Sequence, residues 1–474
     1  MTDFDGASQQ FLAWLEQTGT AINPKIALRD LRASHCGRGV VAVQNIEEDE
    51  LLFRVPRSCI LSVENSILSK EIPKATLEYL GPWLSLILVM LYEYKNDSAS
   101  NWAPYFRVLP TEFNTLMFWE EDELDKLQAS AVRDKIGKEE ADETFRTQLV
   151  PVIQEFADVF FCGDEHAKAR AEEMRSPENL QLMHVMGTLI MAYAFDVEPA
   201  VANKEVDEEG YASEDEDEAL PKGMVPLADM LNADADRNNA RLFYEEEFLS
   251  MKAIKPIHAD EEIFNDYGAL PRSDLLRRYG YITDNYAQYD VVEIPHELVI
   301  QQARELAPPT FGKRIDYLDE QGVVDSGYDI ATSEPFNIQE SVSEQLIVLV
   351  QALLLPDAEF ERLAKSEKLP KPKNMTATDA ECLRRIVKAR TEQYPTSLEQ
   401  DLSEPVRAPT TGPYMSKERR YAMARLVRIG EKKILRSAEE ALAGIVNQLS
   451  SNGAGKRGRQ DNLDVSDRRQ KARR

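Results

Sequence analysis

The chain has 474 residues and a formal charge of −27, with 83 Asp and Glu against 56 Lys and Arg. That length suggests two or three domains, and 43% hydrophobic residues exclude wholesale disorder. So negative a chain is not expected to bind nucleic acid directly, because phosphate contacts need a positive face, whereas basic partners are steered toward it.

Cys36, Cys59, Cys162 and Cys382 are widely spaced with no CxxC pair. His35 and His166, the imidazoles beside Cys36 and Cys162, complete no metal-ligand pattern, so a reducing compartment and no metal are expected. The opening residues MTDFDGASQQFLAWL lack a basic leader, and the strongest uncharged apolar run, Trp83–Tyr92, is short for a membrane span. A soluble intracellular protein without a membrane partner is the expectation.

In chain order, Phe11, Leu12, Trp14 and Leu15 have helical spacing. Gly37-Arg38-Gly39 is a tight turn entering an apolar strand at Val40–Val43, and Glu50–Val55 is a second strand stopped by Pro56. From Ile60 to Phe195 the pattern is mostly helical, strongest at Ser85–Tyr94 and Leu180–Phe195. Nine of the sixteen residues from Asn203 to Glu218 are acidic, which predicts a disordered surface loop. Arg241–Glu245 and Phe248–Ala253 flank a Glu246-Glu247 turn, and Glu262–Asn265 is another short strand. Ser273–Tyr279 reads as a helix with Ser273 as N-cap and Gly280 as stop. After a strand at Val291–Ile294 the chain is helical again, at Ser341–Leu355, Ala377–Thr391 and Ser416–Leu449.

The tail reverses the charge. Residues 456–474 carry eight Lys or Arg against three Asp, leaving −32 on the rest of the chain. Lys456-Arg457 and Arg468-Arg469-Gln470-Lys471 are ten residues apart, the spacing of a bipartite nuclear localisation signal. A nuclear import receptor is the implied partner, and the nucleus the expected location, with the cytoplasm as alternative.

Taken singly, the unusual segments carry little. A GxG turn lets a ligand approach the main chain, isolated asparagines serve in turns, and Tyr267 and Tyr279 suit a core as well as a site. Their order is more telling. GRGVVAVQNIEEDELLFRVPR, PLADMLNADADRNNA, AIKPIHADEEIFNDYG and LLRRYGYI together resemble the SET-domain protein lysine methyltransferases. More narrowly they resemble the class of Rubisco large-subunit methyltransferase, and within it the ribosomal lysine methyltransferase type, which has Asn-Ala-Asp where many relatives have Asn-His.

The resemblance implies an α+β fold: a SET domain of small curved sheets with a pseudoknot, split by a helical insert, and an all-α C-terminal substrate-binding domain. The chain then divides into 1–59 and 221–294 as the two parts of the SET domain, 60–202 as the insert and 203–220 as the acidic loop. Residues 295–450 form the substrate-binding domain and 451–474 the basic tail. The implied activity is S-adenosylmethionine-dependent methylation of a protein lysine, with no metal. The implied cofactor contacts are Arg38 and Gly39 through their backbone, Asn232, Ala233 and Tyr267. Tyr267 is the implied catalytic residue, and Trp102, Tyr193 and Tyr279 are the implied walls of the lysine channel. The loss of an imidazole at Ala233 leaves backbone contacts to adenine in place.

The implied substrate is a basic protein, and by the narrower likeness a large-subunit ribosomal protein. Histones or other nuclear proteins are the alternative substrates, and a catalytically silent SET-fold binding module is the alternative class.

Overall fold

The computed structural model describes residues 4–32, 37–197, 220–403 and 413–471. The acidic run at 203–218, His35 and Cys36 lie outside the described residues. Helix α1 (Phe4–Gln17) buries Phe11 and Leu15 completely, as the spacing predicts. The strands that follow are short: β1 (Ala21–Ile22), β2 (Ile26–Asp30), β3 (Arg38–Ala42), β4 (Leu51–Pro56) and β5 (Leu61–Ser62). Later ones return to the same region: β6 (Ala194–Asp196), β7 (Lys222–Met224), β8 (Ala240–Tyr244), β9 (Phe248–Ala253) and β10 (Glu262–Ile263).

These strands make three small sheets, ordered β1-β4-β9-β8, β10-β3-β2 and β5-β7-β6. Each joins strands from both sides of the helical block, so the sheets close only when distant sequence meets. The β8–β9 hairpin forms where the Glu246-Glu247 turn predicts it, closed by Glu245 N–H donating to the Phe248 carbonyl at 2.9 Å. β1, β2, β5, β6 and β7 are additions to the sequence reading. All but β2 are too short for alternation to register, and partners supply their hydrogen bonds.

Between the strand groups lie mainly helices. In α2 (Lys74–Lys95) the chain breaks at Gly81, φ +70°, followed by Pro82. This 22-residue helix is, by length and composition, long and apolar enough to cross a membrane, so the apolar segment is longer than the run Trp83–Tyr92. Here it is a core element. Its Leu86 to Leu91 are fully buried, and buried Glu93 accepts from Ser66 Oγ at 2.7 Å and Ser100 Oγ at 2.6 Å. Helix α3 (Pro177–Tyr193) is capped by Ser176, which accepts from the Asn179 N–H. It ends two residues before the predicted Phe195. Ala194 turns to ψ 150° and pairs with Met224, so strand pairing overrides the helical pattern.

Helix α4 (Arg272–Tyr279) stops at Gly280, φ +75°, as predicted, but Ser273 is not its N-cap. The helix begins one residue earlier, after Pro271, and Asp290 Oδ1 accepts the Arg272 N–H at 3.1 Å. A carboxylate from eighteen residues away does the work expected of a local hydroxyl.

Past β11 (Val291–Pro295) the structure is helical with one addition. Strand β12 (Gly327–Ala331) pairs antiparallel with β11, giving a two-stranded sheet in a region read as all-α. The predicted Ser341–Leu355 helix starts later, as α6 (Glu344–Leu354) capped by Ser343, and a short helix α5 (Ile338–Ser341) precedes it. Helix α7 (Ala377–Glu392) opens with a Thr376–Asp379 capping box. Then come α8 (Leu398–Ser403) and the long α9 (Lys417–Lys471). One hydrophobic core runs from Phe11 to Ile263 and a second from Val292 to Leu442. Between them, Leu116, Trp119 and Leu276 pack with Met423, Ala424 and Val427 of α9. The C-terminal helix is therefore packed directly on α4.

Candidate active site

Two sequence-distant segments lie side by side, half-buried. Ala233 pairs in parallel with Asn265, and the Asn265 N–H donates to the Asn232 carbonyl at 2.9 Å. This pairing fixes two groups of residues on either side of one short stretch of backbone.

The first group is a polar cradle. Asn232 Nδ2 donates to Glu262 Oε1 at 2.7 Å and to the Arg38 carbonyl at 3.3 Å. Gly39 sits against both: a Cβ there would collide with Leu31 Cδ1 and stand 2.8 Å from Glu262 Oε1 and 3.1 Å from Asn232 Nδ2. Only glycine permits that approach. The Arg38 side chain turns away. Its Nη1 donates to the Val108 carbonyl at 2.7 Å, and its guanidinium lies 4.0 Å from the Phe4 ring centroid. Its backbone is thus the part left beside Asn232. Burial pushes the Glu262 carboxyl up, opposed by the Asn232 hydrogen bond.

The second group surrounds a cavity of about 480 Å³, lined among others by Tyr193, Ala194, Asp229, Tyr244, Tyr267 and Tyr279. The Tyr267 and Tyr279 rings stack with centroids 4.3 Å apart and planes 13° from parallel. The Tyr267 hydroxyl donates to the Leu231 carbonyl at 3.3 Å, which ties the cavity to the residue before Asn232. Burial raises both phenols, Tyr279 to about 12, so both are neutral donors at physiological pH. Asp229 is buried, with its Oδ2 bonded to the Tyr105 hydroxyl, and burial pushes its carboxyl up to about 7. Among the described residues lining this cavity there is no Lys or Arg.

The structure brings together Arg38, Gly39, Asn232 and Ala233 on one side and Tyr193, Tyr267 and Tyr279 on the other. It does not bring Trp102 there. Trp102 is 3% exposed in the first core, its Nε1 donating to the Cys59 carbonyl at 2.9 Å, and it is not among the residues lining the cavity. Sequence reasoning gave no role to Glu262 or Asp229. The signal for Asp229 was an acid inside the apolar run Val225–Leu231, which either pairs or titrates when buried.

The cradle suits S-adenosylmethionine: a desolvated carboxylate and backbone carbonyls for a cationic, amine-bearing group, beside a glycine that admits close contact. When bound, that cofactor supplies an activated methyl. Among the described residues no group of three or more His, Cys, Asp or Glu could hold a metal ion.

Residues 37–268 match the SET domain family and residues 306–435 the Rubisco LSMT substrate-binding family. Over 358 residues the chain is 36% identical to ribosomal lysine N-methyltransferase 4 of Saccharomyces cerevisiae, covering 74% of this chain and 68% of that one. This chain belongs to the SET-domain N-lysine methyltransferase family. It is also 30% identical over 455 residues to N-lysine methyltransferase SETD6 of Mus musculus, covering 90% of this chain and 88% of the relative. Among solved structures, the SET domain of LSMT bound to lysine and AdoHcy superposes with a TM-score of 0.65 at 19% identity, over 95% of this chain and 93% of that one. Rubisco LSMT bound to AdoMet gives 0.64 over 94% and 93%. These agree on the fold, with its small sheets and helical C-terminal region.

Proposed function

We propose that this methyltransferase transfers a methyl group from S-adenosylmethionine to a lysine of a large-subunit ribosomal protein. The observation that carries the reading is the stacked Tyr267–Tyr279 pair, tied through the Leu231 carbonyl to the cradle at Asn232, Gly39 and Glu262. It places a tyrosine-walled cavity next to a polar cradle, as in-line transfer from a bound donor to an amine requires. Aromatic faces accommodate the alkyl stem and a cationic head, and holding amine and donor in line contributes up to roughly 7–11 kcal/mol in favourable intramolecular cases. In this reading Arg38 and Gly39 hold the cofactor through their backbone, with Asn232 and Ala233 beside its amine and adenine. Tyr267 orients the amine, and Tyr193 and Tyr279 wall the lysine stem.

The ribosomal target is supported by likeness to the yeast relative and by a body of charge −32, suited to a very basic partner. A second reading, a histone or other nuclear protein as substrate, fits the same negative charge equally well. We infer nuclear import through residues 456–474, which their deletion tests by loss of nuclear accumulation.

The deciding experiment is transfer of labelled methyl from S-adenosylmethionine to purified ribosomal proteins and, in parallel, histones. Tyr267→Phe is the control, expected to lower the rate about 10²-fold or more, the scale for losing one positioned hydroxyl donor. Tyr267-dependent label on one ribosomal band with blank histones supports the first reading. Label on histones alone supports the second, and no Tyr267-dependent label on either overturns both.

A further inference from the structure

On the lysine-methyltransferase reading, the cradle must keep its shape before the cofactor arrives. Its main-chain wall is Arg38 and Gly39 at the start of β3, where the β2–β3 hairpin sets Asp30 opposite Arg38. Within the hairpin end, the Leu31 N–H donates to the Gly37 carbonyl at 2.8 Å. The Arg38 carbonyl meets Asn232 Nδ2 at 3.3 Å, a long bond. A hairpin end opens locally unless something outside the sheet holds it.

Helix α1 supplies that hold. Arg38 Nε donates to Ser8 Oγ at 3.1 Å, and the guanidinium lies over the Phe4 ring, 4.0 Å from its centroid. The Val108 carbonyl takes Nη1 at 2.7 Å. Ser8 donates its own proton to the Phe4 carbonyl at 2.8 Å, which leaves its oxygen lone pairs for the guanidinium. The other arm of the hairpin reaches the same ring. Arg32, paired with Asp30, stands 4.8 Å from the Phe4 centroid. One aromatic ring therefore attracts a cation from each side of the hairpin.

Other residues dock α1 on the protein. Phe11 and Leu15 are fully buried, and Phe11 and Trp14 stack on Tyr105 with centroids 5.8 and 6.3 Å away. Phe4 stands outside that core, half-buried. A long side chain pinned in one place loses rotamer freedom, and Arg38 gives up that freedom to three neutral partners. Two of the three, Phe4 and Ser8, lie on the first turns of α1.

We propose that Phe4 and Ser8 are positioning residues for S-adenosylmethionine. They draw the Arg38 side chain away from the cradle, so that its main chain and Gly39 keep the geometry facing Asn232 and Glu262. They act through Arg38 and need no contact with the cofactor. Ordering the hairpin end in advance removes that cost from the binding step. The first helix thereby sets cofactor affinity, while the lysine cavity is left to Tyr193, Tyr267 and Tyr279.

The test titrates S-adenosylmethionine into the full chain by calorimetry, as wild type, Phe4→Leu, Phe4→Tyr and Ser8→Ala. Phe4→Leu keeps an apolar side chain without a ring face and is expected to weaken binding about fivefold, whereas Phe4→Tyr restores the face and stays within about twofold of wild type. Ser8→Ala is expected to lose about threefold. On an Arg38→Met background, which removes the guanidinium and keeps the backbone, Phe4→Leu is expected to add less than about twofold. In methyl transfer, Phe4→Leu should raise the KM for S-adenosylmethionine and leave kcat and the KM for the protein substrate in place.

Phe4→Leu binding as tightly as wild type overturns the proposal. So does the same loss with and without the Arg38 guanidinium, or a rise in both KM values together, the mark of a merely structural role. If Phe4→Leu fails to fold, undiminished affinity in Arg38→Met overturns it. A wild type that binds no S-adenosylmethionine refutes the methyltransferase reading and this inference with it, a result distinct from any difference among the variants.

Discussion

The two halves of this molecule are built on different principles. In the first, sheets such as β1-β4-β9-β8 join strands almost two hundred residues apart, and the site exists only where Asn232 lies beside Asn265. In the second, α6 and α7 take their N-caps from the adjacent Ser343 and Thr376, and α6 is apolar and buried on nearly every face. Long-range pairing gives the first half its chemistry, and local propensity gives the second its scaffold. The difference teaches where function can be tuned: changes in the helical half should cost stability in proportion to burial, while changes in the threaded half should cost cofactor or turnover first.

The sharpest test of that contrast is the buried charge cluster under α9. Asp401 Oδ1 and Oδ2 bind Arg428 Nη2 at 2.9 Å and Lys432 Nζ at 2.6 Å, with all three side chains inside. Asp401→Ala leaves two buried cations unpaired, and chemical denaturation is expected to show a loss of about 3–5 kcal/mol. The same pairing holds the Asp401 carboxyl below its usual range against its burial. Its contribution is therefore present above the unfolded aspartate pKa and is lost as pH falls through the folded one.

Gly430→Ala probes the seam between the halves. A Cβ at 430 would collide with Asp290 Oδ2 and stand 2.7 Å from Arg272 Nη2, the buried pair that caps α4. The expected cost is about 1–3 kcal/mol in thermal unfolding, with turnover falling as well because α4 ends in Tyr279. Turnover preserved at full stability loss would show that the seam is only structural.

Gly39→Ala acts in the threaded half alone. The added methyl meets Leu31, Glu262 and Asn232, so calorimetry is expected to show S-adenosylmethionine binding weakened at least tenfold, about 1.4 kcal/mol. The melting temperature should move less than with Asp401→Ala.

The smallest effect belongs to the helical half. Ser343 accepts from the Leu346 N–H at 3.2 Å at the start of α6. Ser343→Ala is expected to cost about 1 kcal/mol in denaturation and to leave methyl transfer unchanged.

By itself the sequence determined several of the longer helices, most of the longer strands and the order of the site segments. Helically spaced apolar residues, Gly-Arg-Gly before an apolar strand and Gly280 after Tyr279 are local signals with local causes. It also singled out Asn232 and the two tyrosines that the structure stacks. Only tertiary structure decided the rest. β12 needs β11 to exist, Ala194 leaves its helix because Met224 offers a strand, and α4 takes its cap from Asp290 in place of Ser273. Trp102 has the chemistry of a channel wall, but the Cys59 carbonyl claims its indole in the core. Asp229 stands within the quoted Asp229-Met-Leu-Asn232 segment, yet nothing local says which of its oxygens is paired. That depends on Tyr105, 124 residues earlier in the chain. Composition and periodicity encode what a residue prefers next to its neighbours, whereas the titration and partners of a buried group are set by whatever the fold carries to it from elsewhere.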